Sequence, residues 1–395
     1  KSAVLYENID SLTFTPTGSI ENNDYALTAT KDNYTYNIAC PSIYSDNYTL
    51  ERLDNGKCKF ILSSGYVYKG FGETESGETD IPTYIKIGDK LFTTDFTNLP
   101  KNISATEDNG TLTITLNNYN SADSLFVCAP NGVEIALKGN NYICYETAQK
   151  SVYSPVNVTF LGSGNLYSGV IETAELTINN SSLNISTGGT VGNGYALKTA
   201  FTSSAAIEIN TKLSHAIELT GSSAIKSGEI NIYNAATGIF GNYTFMVKDH
   251  LKITDCKYGI IVSKVDIQES AICAITNIKT AIIAKTLTLS GKLTIKDTTE
   301  SAIILSDTSA AITFTAASVL TISSTNKIET AAIKMSQFAD LLTINGEIII
   351  FNYTYGFYTE ANGKYKAETD NFTFNDKYYG YRKSSALKGF SLSEY

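Results

Sequence analysis

The sequence predicts an all-β protein whose main body is a right-handed parallel β-helix, a solenoid of stacked strands, with a small strand-rich N-terminal domain or cap. A small residue followed by apolar residues recurs through the second half at steps of 20 to 24 residues, broken once by a step of 30. An alternating apolar pair usually precedes each small residue by six to eight positions. Such units bury their apolar faces only when they stack, so the repeat indicates a solenoid.

The repeat is easiest to see in Ala216-Ile-Glu-Leu219 and Gly259-Ile-Ile-Val262, where the small residue stands first. We expect the small residue to lie where the chain bends inward, because a larger side chain would clash there. The small residues of the repeat are Ala196, Ala216, Gly238, Gly259, Ala281, Ala302, Ala332, Gly356 and Gly380.

A second series lies four residues before the small ones and consists of short amides and acids. Because stacked side-chain amides at a turn hydrogen-bond along the solenoid axis, this series predicts a structural asparagine ladder. A run of metal-binding carboxylates is the alternative, but half of the series is asparagine. Its members are Asn234, Asp255, Asn277, Asn352 and Asp376, with Asp297 displaced by one position.

Composition narrows the possible partners. The formal net charge is −9 and the chain has two arginines, Arg52 and Arg382. Phosphate contacts normally need a basic stripe, so this composition argues against a nucleic-acid partner. The sequence has no apolar run of eighteen residues, so we predict no membrane-spanning segment, and we expect a monomer.

The anchors of the repeat do not extend to the beginning of the chain. Residues 1–100 are therefore predicted to form a strand-rich N-terminal domain or cap, and residues 101–395 the β-helix. A cap is needed because the first rung would otherwise expose unpaired strand edges. The stretch from Phe372 to Tyr395 is a candidate for closing the other end.

The six cysteines form three pairs that are local in sequence. Such spacing is compatible with disulfides in a secreted protein, while the alternative is free thiols that are buried as small hydrophobic groups. The chain begins with Lys1 and Ser2 rather than with a signal peptide, as expected of a trimmed mature fragment. The pairs are Cys40/Cys58, Cys128/Cys144 and Cys256/Cys273.

Three segments of the central region read EIALKGNN (134–141), NVTFLGSGNL (157–166) and LTINNSSLNI (176–185). They resemble successive rungs in a bacterial family of pectate-lyase-like β-helix proteins that bind carbohydrate, and the resemblance covers roughly residues 105–260. It implies a secreted or cell-surface protein that binds a polysaccharide or surface glycan without catalysis. The calcium-ligating acids of that family have no clear counterparts here, so the resemblance implies calcium only as a possible cofactor.

Aromatic residues are concentrated in the last two repeats, Phe351–Tyr358 and Phe374–Tyr381. When the repeats are aligned on Gly356 and Gly380, Tyr355 and Tyr379 occupy the same position, which Tyr258 shares. Exposed tyrosines in a row would form a platform for sugar rings, whereas the alternative is that they pack under a cap or against one another. The predicted carbohydrate-binding residues are Tyr258, Tyr355, Tyr358, Tyr379 and Tyr381.

Catalytic groups are sparse. A calcium-dependent polysaccharide lyase with a lysine base would need several acids beside a lysine. Two neighbouring repeats offer such groups, although scattered charges on a solvated face are the favoured explanation. His215, one of the two histidines, is interpreted as a turn side chain. The residues considered for a lyase site are Lys252, Lys257, Asp249, Asp255 and Asp266.

Three functions remain as hypotheses, since β-helices host all of them. The first is a non-catalytic secreted or cell-surface protein that binds polysaccharide along the flank of the solenoid. The second is a structural adhesin or spacer segment of a surface protein. The third is the calcium-dependent lyase. The first hypothesis needs exposed aromatic side chains with polar neighbours, and the third needs acids that converge beside a lysine.

Overall fold

The computed structural model describes residues 83–93, 95–306, 311–334, 346–353 and 356 in full, and it gives the backbone of further strands outside these ranges. The chain divides into two compact units, Lys1–Ile81 and Pro82–Tyr395. In the first unit the strands pair antiparallel in two sheets. These strands are β1 (Ser11–Pro16), β2 (Tyr25–Lys31), β3 (Tyr34–Cys40), β4 (Tyr48–Arg52), β5 (Cys58–Leu62) and β6 (Val67–Tyr68).

The second unit is built from strands, and its described residues include no helix long and apolar enough to cross a membrane. Its strands are β7 (Tyr84–Ile87), β8 (Lys90–Phe92), β9 (Ile103–Asp108), β10 (Thr111–Asn117), β11 (Asn120–Ser121), β12 (Leu125–Cys128), β13 (Val133–Lys138), β14 (Asn140–Ile143), β15 (Lys150–Ser154), β16 (Val158–Gly162), β17 (Asn165–Ser168), β18 (Val170–Asn179), β19 (Ser182–Ser204), β20 (Ile207–Leu219), β21 (Ser223–Ser227), β22 (Glu229–Tyr233), β23 (Thr237–Phe240), β24 (Thr244–Val247), β25 (His250–Thr254), β26 (Tyr258–Ile261), β27 (Lys264–Ile267), β28 (Ile272–Ile278), β29 (Thr280–Ala284), β30 (Thr286–Leu289), β31 (Lys292–Thr298), β32 (Ile303–Leu305), β33 (Ala311–Phe314), β34 (Val319–Met335), β35 (Leu341–Ile344), β36 (Glu347–Thr359), β37 (Phe372–Phe374), β38 (Lys377–Lys383) and β39 (Gly389–Glu394).

From β10 onward the chain winds into three-sided rungs, and the predicted parallel β-helix is confirmed. Most strands pair in parallel with the strand three places later, as β22, β25 and β28 do. Face A contains β10, β13, β16, β21, β24, β27, β30, β33 and β35; face B contains β11, β14, β17, β22, β25, β28, β31 and β37; face C contains β12, β15, β23, β26, β29 and β32. The long strands β18, β19, β20, β34 and β36 turn corners and contribute to more than one face.

The interior consists of stacked apolar side chains. Alternation along each short strand turns every second side chain inward, and parallel register places equivalent residues directly above one another. Full burial of one isoleucine contributes about 1.5–3 kcal/mol, so the stacks account for much of the stability. On face C one such stack, fully buried, runs through Ile239, Ile260, Ile282, Ile303 and Ile333.

The small residues of the repeat lie at close approaches between rungs, as the sequence predicted. A Cβ added to Gly259 would lie 2.4 Å from the carbonyl oxygen of Ala281, and one added to Gly238 would lie 2.7 Å from that of Gly259. The alanines at Ala281 and Ala302 are fully buried at the same position of later rungs. Methyl groups are therefore the largest side chains that this position holds among these rungs.

The corner between faces B and C holds the series interpreted as an asparagine ladder. Its residues adopt left-handed backbone conformations with φ between 54° and 66°, which asparagine and aspartate tolerate better than other side chains. Asn277 Nδ2 also donates to Asp255 Oδ1 at 3.0 Å, so a ladder bond between rungs exists. The described members are Asn234, Asp255, Asn277, Asp297 and Asn352, and Asp376 lies outside the described residues.

The first rung is capped by antiparallel strands. Strand β9 pairs with β10 on face A, and β7 pairs with β12 on face C. These pairings cover the strand edges that a solenoid otherwise leaves open. Strands β7 and β9 belong to the same compact unit as the solenoid, because the two units divide at Ile81 and Pro82, and the predicted division into residues 1–100 and 101–395 stays a prediction.

The parallel order ends near the C-terminus. Strand β37 still pairs in parallel with β36, whereas β38 and β39 pair antiparallel with each other. The backbone of Tyr379 pairs with Glu394, so Tyr379 does not continue the parallel ladder of face C as the repeat alignment had suggested. The antiparallel pairing of β38 and β39 ends the parallel order, and closure of this end by Phe372–Tyr395 stays a prediction.

The described cysteines are free, buried thiols rather than disulfides. Cys128, Cys144, Cys256 and Cys273 are unpaired, which agrees with the free, buried thiols that were one of the two alternatives for these pairs. Burial raises the pKa of Cys128 to about 11 and that of Cys256 and Cys273 to about 12. These four thiols act as small apolar groups of the interior. The side chains of Cys40 and Cys58 lie outside the described residues.

Candidate functional site

Among the five tyrosines predicted to bind sugar, the structure describes the side chain of Tyr258. The backbones of Tyr355 and Tyr358 lie in β36, and those of Tyr379 and Tyr381 lie in β38. The side chains of these four residues lie outside the described residues, so the aromatic row at the end of the solenoid stays a prediction.

Tyr258 has no tyrosine at the equivalent position of the neighbouring rungs. Its backbone partners on face C are Thr237 and Thr280. The ammonium groups of Lys257 and Lys279 lie 5.4 and 5.8 Å from the centre of its ring, within the range of a cation–π interaction. Lysines rather than aromatic side chains therefore surround the ring of Tyr258.

Three tyrosines cluster instead on face B in the second and third rungs. The rings of Tyr142 and Tyr167 are stacked, with centroids 4.6 Å apart and planes 10° apart. Tyr145 lies edge-on against both, at 6.0 Å from Tyr142 and 5.6 Å from Tyr167. We call these residues the tyrosine cluster. Each stacked ring covers one face of the other, and both tyrosines are partly exposed to solvent.

The tyrosine cluster begins a straight row of outward-facing side chains along face B. Parallel register aligns each member with the next, at the strand spacing of about 4.8 Å. The Tyr145 hydroxyl joins the row by donating to Asn184 Oδ1 at 3.3 Å. We call this row the face B column, and it consists of Tyr142, Tyr167, Asn184, Glu208, Asn231 and Lys252.

Buried and edge amides hold the strands of the tyrosine cluster in register. The fully buried Asn141 accepts a hydrogen bond from Tyr119 N at 2.9 Å and donates to the carbonyl oxygen of Asn165 at 3.2 Å. At the edge of the face, Asn165 Nδ2 donates to Asn140 Oδ1 at 2.7 Å. These asparagines are close in sequence to Tyr142 and Tyr167. The hydrogen bonds of their side-chain amides therefore fix the position along the solenoid axis at which the two rings stack.

A tight turn at the corner between faces B and C directs Tyr145 towards the rings of Tyr142 and Tyr167. Its neighbours Cys144 and Glu146 have positive φ values of 44° and 60°. Thr147 Oγ1 supports the turn by donating to the carbonyl oxygen of Cys144 at 2.7 Å. On the other side, a Cβ at Gly188 would lie within 1.9 Å of the Glu146 carbonyl oxygen, so glycine is required for the adjacent loop to approach.

The electrostatics of the site are set by carboxylates beside phenols. Burial raises the pKa of Tyr145, and the charges of Glu146 and Glu208 raise it further. Burial likewise raises the pKa of Tyr233, with smaller contributions from Glu208 and Glu229. Both phenols therefore stay protonated and act as hydroxyl donors and acceptors near Glu208.

Face C also carries aromatic and charged side chains in the same part of the solenoid, but they bind one another. Glu172 Oε2 lies 2.5 Å from Lys150 Nζ and accepts a hydrogen bond from Tyr195. In the rungs that follow, Lys198 forms an ion pair with Glu218 at 3.1 Å. These groups satisfy each other, so face B is the better candidate for a ligand.

The residues considered for a lyase site do not converge. Asp249 lies at the corner between faces A and B, and Asp255 lies at the corner between faces B and C. Asp266 lies on face A, while Lys252 points outward from face B. Within the described part of the chain, no group of three or more His, Cys, Asp or Glu residues is placed to hold a metal ion.

His215 is a strand residue rather than the turn side chain expected from the sequence. It lies in β20 on face C and stacks on Phe240, with ring centres 4.3 Å apart and planes 10° apart. Burial lowers the pKa of His215, so the imidazole is neutral over a wider range of pH. The stack explains why an aromatic heterocycle fits this position.

Comparison of the chain with models of known protein families, with curated proteins and with solved structures finds no match.

The tyrosine cluster was missed at the level of sequence, although a local signal was present. The pattern Gly-Asn-x-Tyr occurs on face B at Gly139–Tyr142 and again at Gly164–Tyr167, and a third time at Gly192–Tyr195, whose tyrosine lies on face C. The small residues of face C begin at Ala196, so a repeat aligned on them does not reach Tyr142 or Tyr167. An alignment on the glycine at the corner before face B would have placed both tyrosines at one position of successive rungs.

Proposed function

We propose that this protein is a non-catalytic secreted or cell-surface protein that binds polysaccharide along face B. The observation that supports the proposal is the face B column, in which phenol, amide and carboxylate groups repeat at the rung spacing of about 4.8 Å. That spacing is close to the length of one pyranose unit in an extended chain. Successive sugar units would thus meet successive rungs.

The chemistry of the column suits hydroxyl-rich ligands. Amides donate and accept hydrogen bonds at once, and a phenol combines a polar tip with an apolar ring. The partly exposed rings of Tyr142 and Tyr167 and the amide of Asn184 would contact the hydroxyl groups and C–H groups of the sugar. An open, flat face also fits a long polymer better than a small molecule, which would need an enclosed pocket.

The resemblance to carbohydrate-binding β-helix proteins supports the same proposal, and it is the basis for placing the protein outside the cell. A monomer is proposed because β7 and β9 cover edges of the first rung that would otherwise pair with another chain. An acidic surface argues against nucleic acid as the partner.

The test is a binding assay with a panel of soluble and insoluble polysaccharides, run with calcium and again with a chelator. We expect Tyr167→Ala to weaken binding at least about tenfold, because the variant removes one ring of the stack. Tyr167→Phe keeps the stack and tests the hydroxyl alone. Tyr243→Ala serves as the matched control, since Tyr243 is an exposed tyrosine away from face B.

Each outcome of this assay has a distinct meaning. Equal binding by Tyr167→Ala and the parent protein, with loss in Tyr258→Ala, would move the site to face C. Ultraviolet-absorbing unsaturated product would overturn the non-catalytic part of the proposal and favour the lyase. Failure to bind any polysaccharide would overturn the proposal and favour the structural adhesin or spacer.

A further inference from the structure

Glu208 occupies the centre of the face B column and is exposed. Its carboxylate forms no ion pair with any described lysine, arginine or histidine, whereas Glu172 and Glu218 on face C each pair with a lysine. In the column its neighbours are the amides Asn184 and Asn231. The Glu208 carboxylate therefore points outward in the middle of the proposed ligand face without a cationic partner. It can form an ion pair with a cationic group of the ligand.

Two phenols flank this carboxylate. Tyr145 belongs to the tyrosine cluster on one side of Glu208. Its hydroxyl donates a hydrogen bond to Asn184, which is next to Glu208 in the face B column. Tyr233 lies one rung further along, where its backbone pairs with Asn210. A carboxylate together with aromatic rings and phenol oxygens is a suitable environment for an ammonium group, which gains both a charged hydrogen bond and cation–π attraction.

The surrounding charges favour the same kind of ligand. Glu146 and Glu229 lie close enough to these phenols to raise their pKa values, so they add negative potential around the site. The lysine of the column, Lys252, lies two rungs from Glu208, at about 10 Å. The whole chain carries a net charge of −9, which attracts cationic polymers and repels anionic ones.

We propose that the polysaccharide bound on face B is an amino-sugar polymer with free, protonated amino groups, and that one of these groups pairs with Glu208. This inference rests on the proposed function and names its ligand class. Hydroxyl groups of the flanking sugar units meet Asn184 and Asn231, while the ammonium group lies between the carboxylate and the phenols. Acetylation of the amine removes its charge and with it this interaction.

The experiment measures the affinity of the full chain for three oligosaccharides of equal length. They are β-1,4-linked oligomers of glucosamine, of N-acetylglucosamine and of glucose, tested at a pH where the glucosamine amines are protonated. We expect the glucosamine oligomer to bind at least about tenfold more tightly than the acetylated one. Added salt should reduce this preference, because it screens an exposed ion pair.

The matched variants separate the contribution of Glu208 from that of net charge. Glu208→Gln should bring the affinities for the charged and the acetylated oligomers together and leave the denaturation midpoint unchanged. Glu175→Gln removes the same charge from an exposed position at the edge of face A, and it should keep the preference. Poly-L-lysine is included as a cationic polymer that has no sugar.

The outcomes distinguish this inference from the proposed function. Equal affinity for the charged and acetylated oligomers, or a preference that survives Glu208→Gln, overturns the inference and leaves polysaccharide binding intact. Binding of poly-L-lysine as tight as that of the glucosamine oligomer, with the same dependence on Glu208, also overturns it, because the site would then capture any polycation. Failure of all three oligosaccharides to bind, together with every polysaccharide of the panel, overturns both proposals.

Discussion

Gly259 lies directly against the backbone of Ala281 in the next rung, where an added Cβ would come within 2.4 Å of the Ala281 carbonyl oxygen. Backbone cannot move aside as a flexible side chain does, so the Gly259→Ala variant must shift one rung against another. We expect it to lower the free energy of unfolding by about 1–3 kcal/mol, the usual cost of overpacking. Urea denaturation followed by circular dichroism measures the change.

The control for this prediction is Gly192→Ala. Gly192 is exposed in strand β19, and an added Cβ would meet no atom within 4 Å. We expect this variant to be neutral or slightly stabilising, because alanine restricts the unfolded chain. Equal losses in the two variants would show that loss of glycine flexibility, rather than the contact with Ala281, sets the cost.

Asn277 combines two features that substitution can separate, a left-handed backbone with φ of 55° and a side-chain bond to Asp255. Asn277→Gly loses the bond but keeps easy access to the left-handed region. Asn277→Ala loses both. If the backbone conformation dominates, the alanine variant is less stable than the glycine variant by about 1 kcal/mol, as measured by chemical denaturation.

The comparison decides between two interpretations of the same series of residues. A ladder held mainly by amide hydrogen bonds predicts equal losses for Asn277→Gly and Asn277→Ala. If the residues are required for their positive φ, Asn277→Ala is less stable than Asn277→Gly. The same pair of substitutions at Asn234, whose φ is 66°, provides an independent repeat of the test two rungs earlier.

Buried thiols make the fold sensitive to alkaline pH. The pKa of Cys273 is raised to about 12 in the folded chain and is about 8.5 in an unfolded one. Between these values the unfolded chain has released a proton that the folded chain keeps, so the free energy of unfolding falls as pH rises. Between the two pKa values, one such thiol lowers the free energy of unfolding by at most about 1.4 kcal/mol per pH unit.

Cys273→Ala tests this linkage. We expect the variant to lose less stability than the parent protein between about pH 9 and about pH 11, measured as the shift of the urea midpoint. Ile275→Val is the control, because it removes volume from the same strand without removing a titratable group. Parallel decreases in all three proteins would show that other groups cause the alkaline sensitivity.

Much of the fold is encoded locally. The period between small residues, as from Gly238 to Gly259, is the length of one rung, and the alternation in segments such as Leu251-Lys-Ile253 assigns each side chain to the inside or the outside. Both signals can be recognised in this single sequence, because every rung packs against its neighbours in the same way and repeats the same pattern. The end of the parallel order was harder to predict, since the repeat signal at Gly380 persists where the strands already pair antiparallel.

The site was less accessible to sequence reasoning. Tyr145 lies in a corner with no equivalent in later rungs, and it reaches Asn184 across two of them. Nothing in the local sequence of either residue indicates this contact. The position of Glu208 beside Asn184 depends on register through the long strand β19, where the repeat contains an extra loop.

By itself, the sequence determined that this protein is a β-solenoid, where its rungs turn and which side chains form the interior. It did so because strand alternation, small residues and turn-forming amides act over a few residues and recur in every rung. Only the tertiary structure decided which outward side chains stand in one column, which acids already have a lysine partner and which cysteines stay free. Those relationships join residues twenty to forty positions apart, and they depend on loop lengths that set the register of each rung against the next.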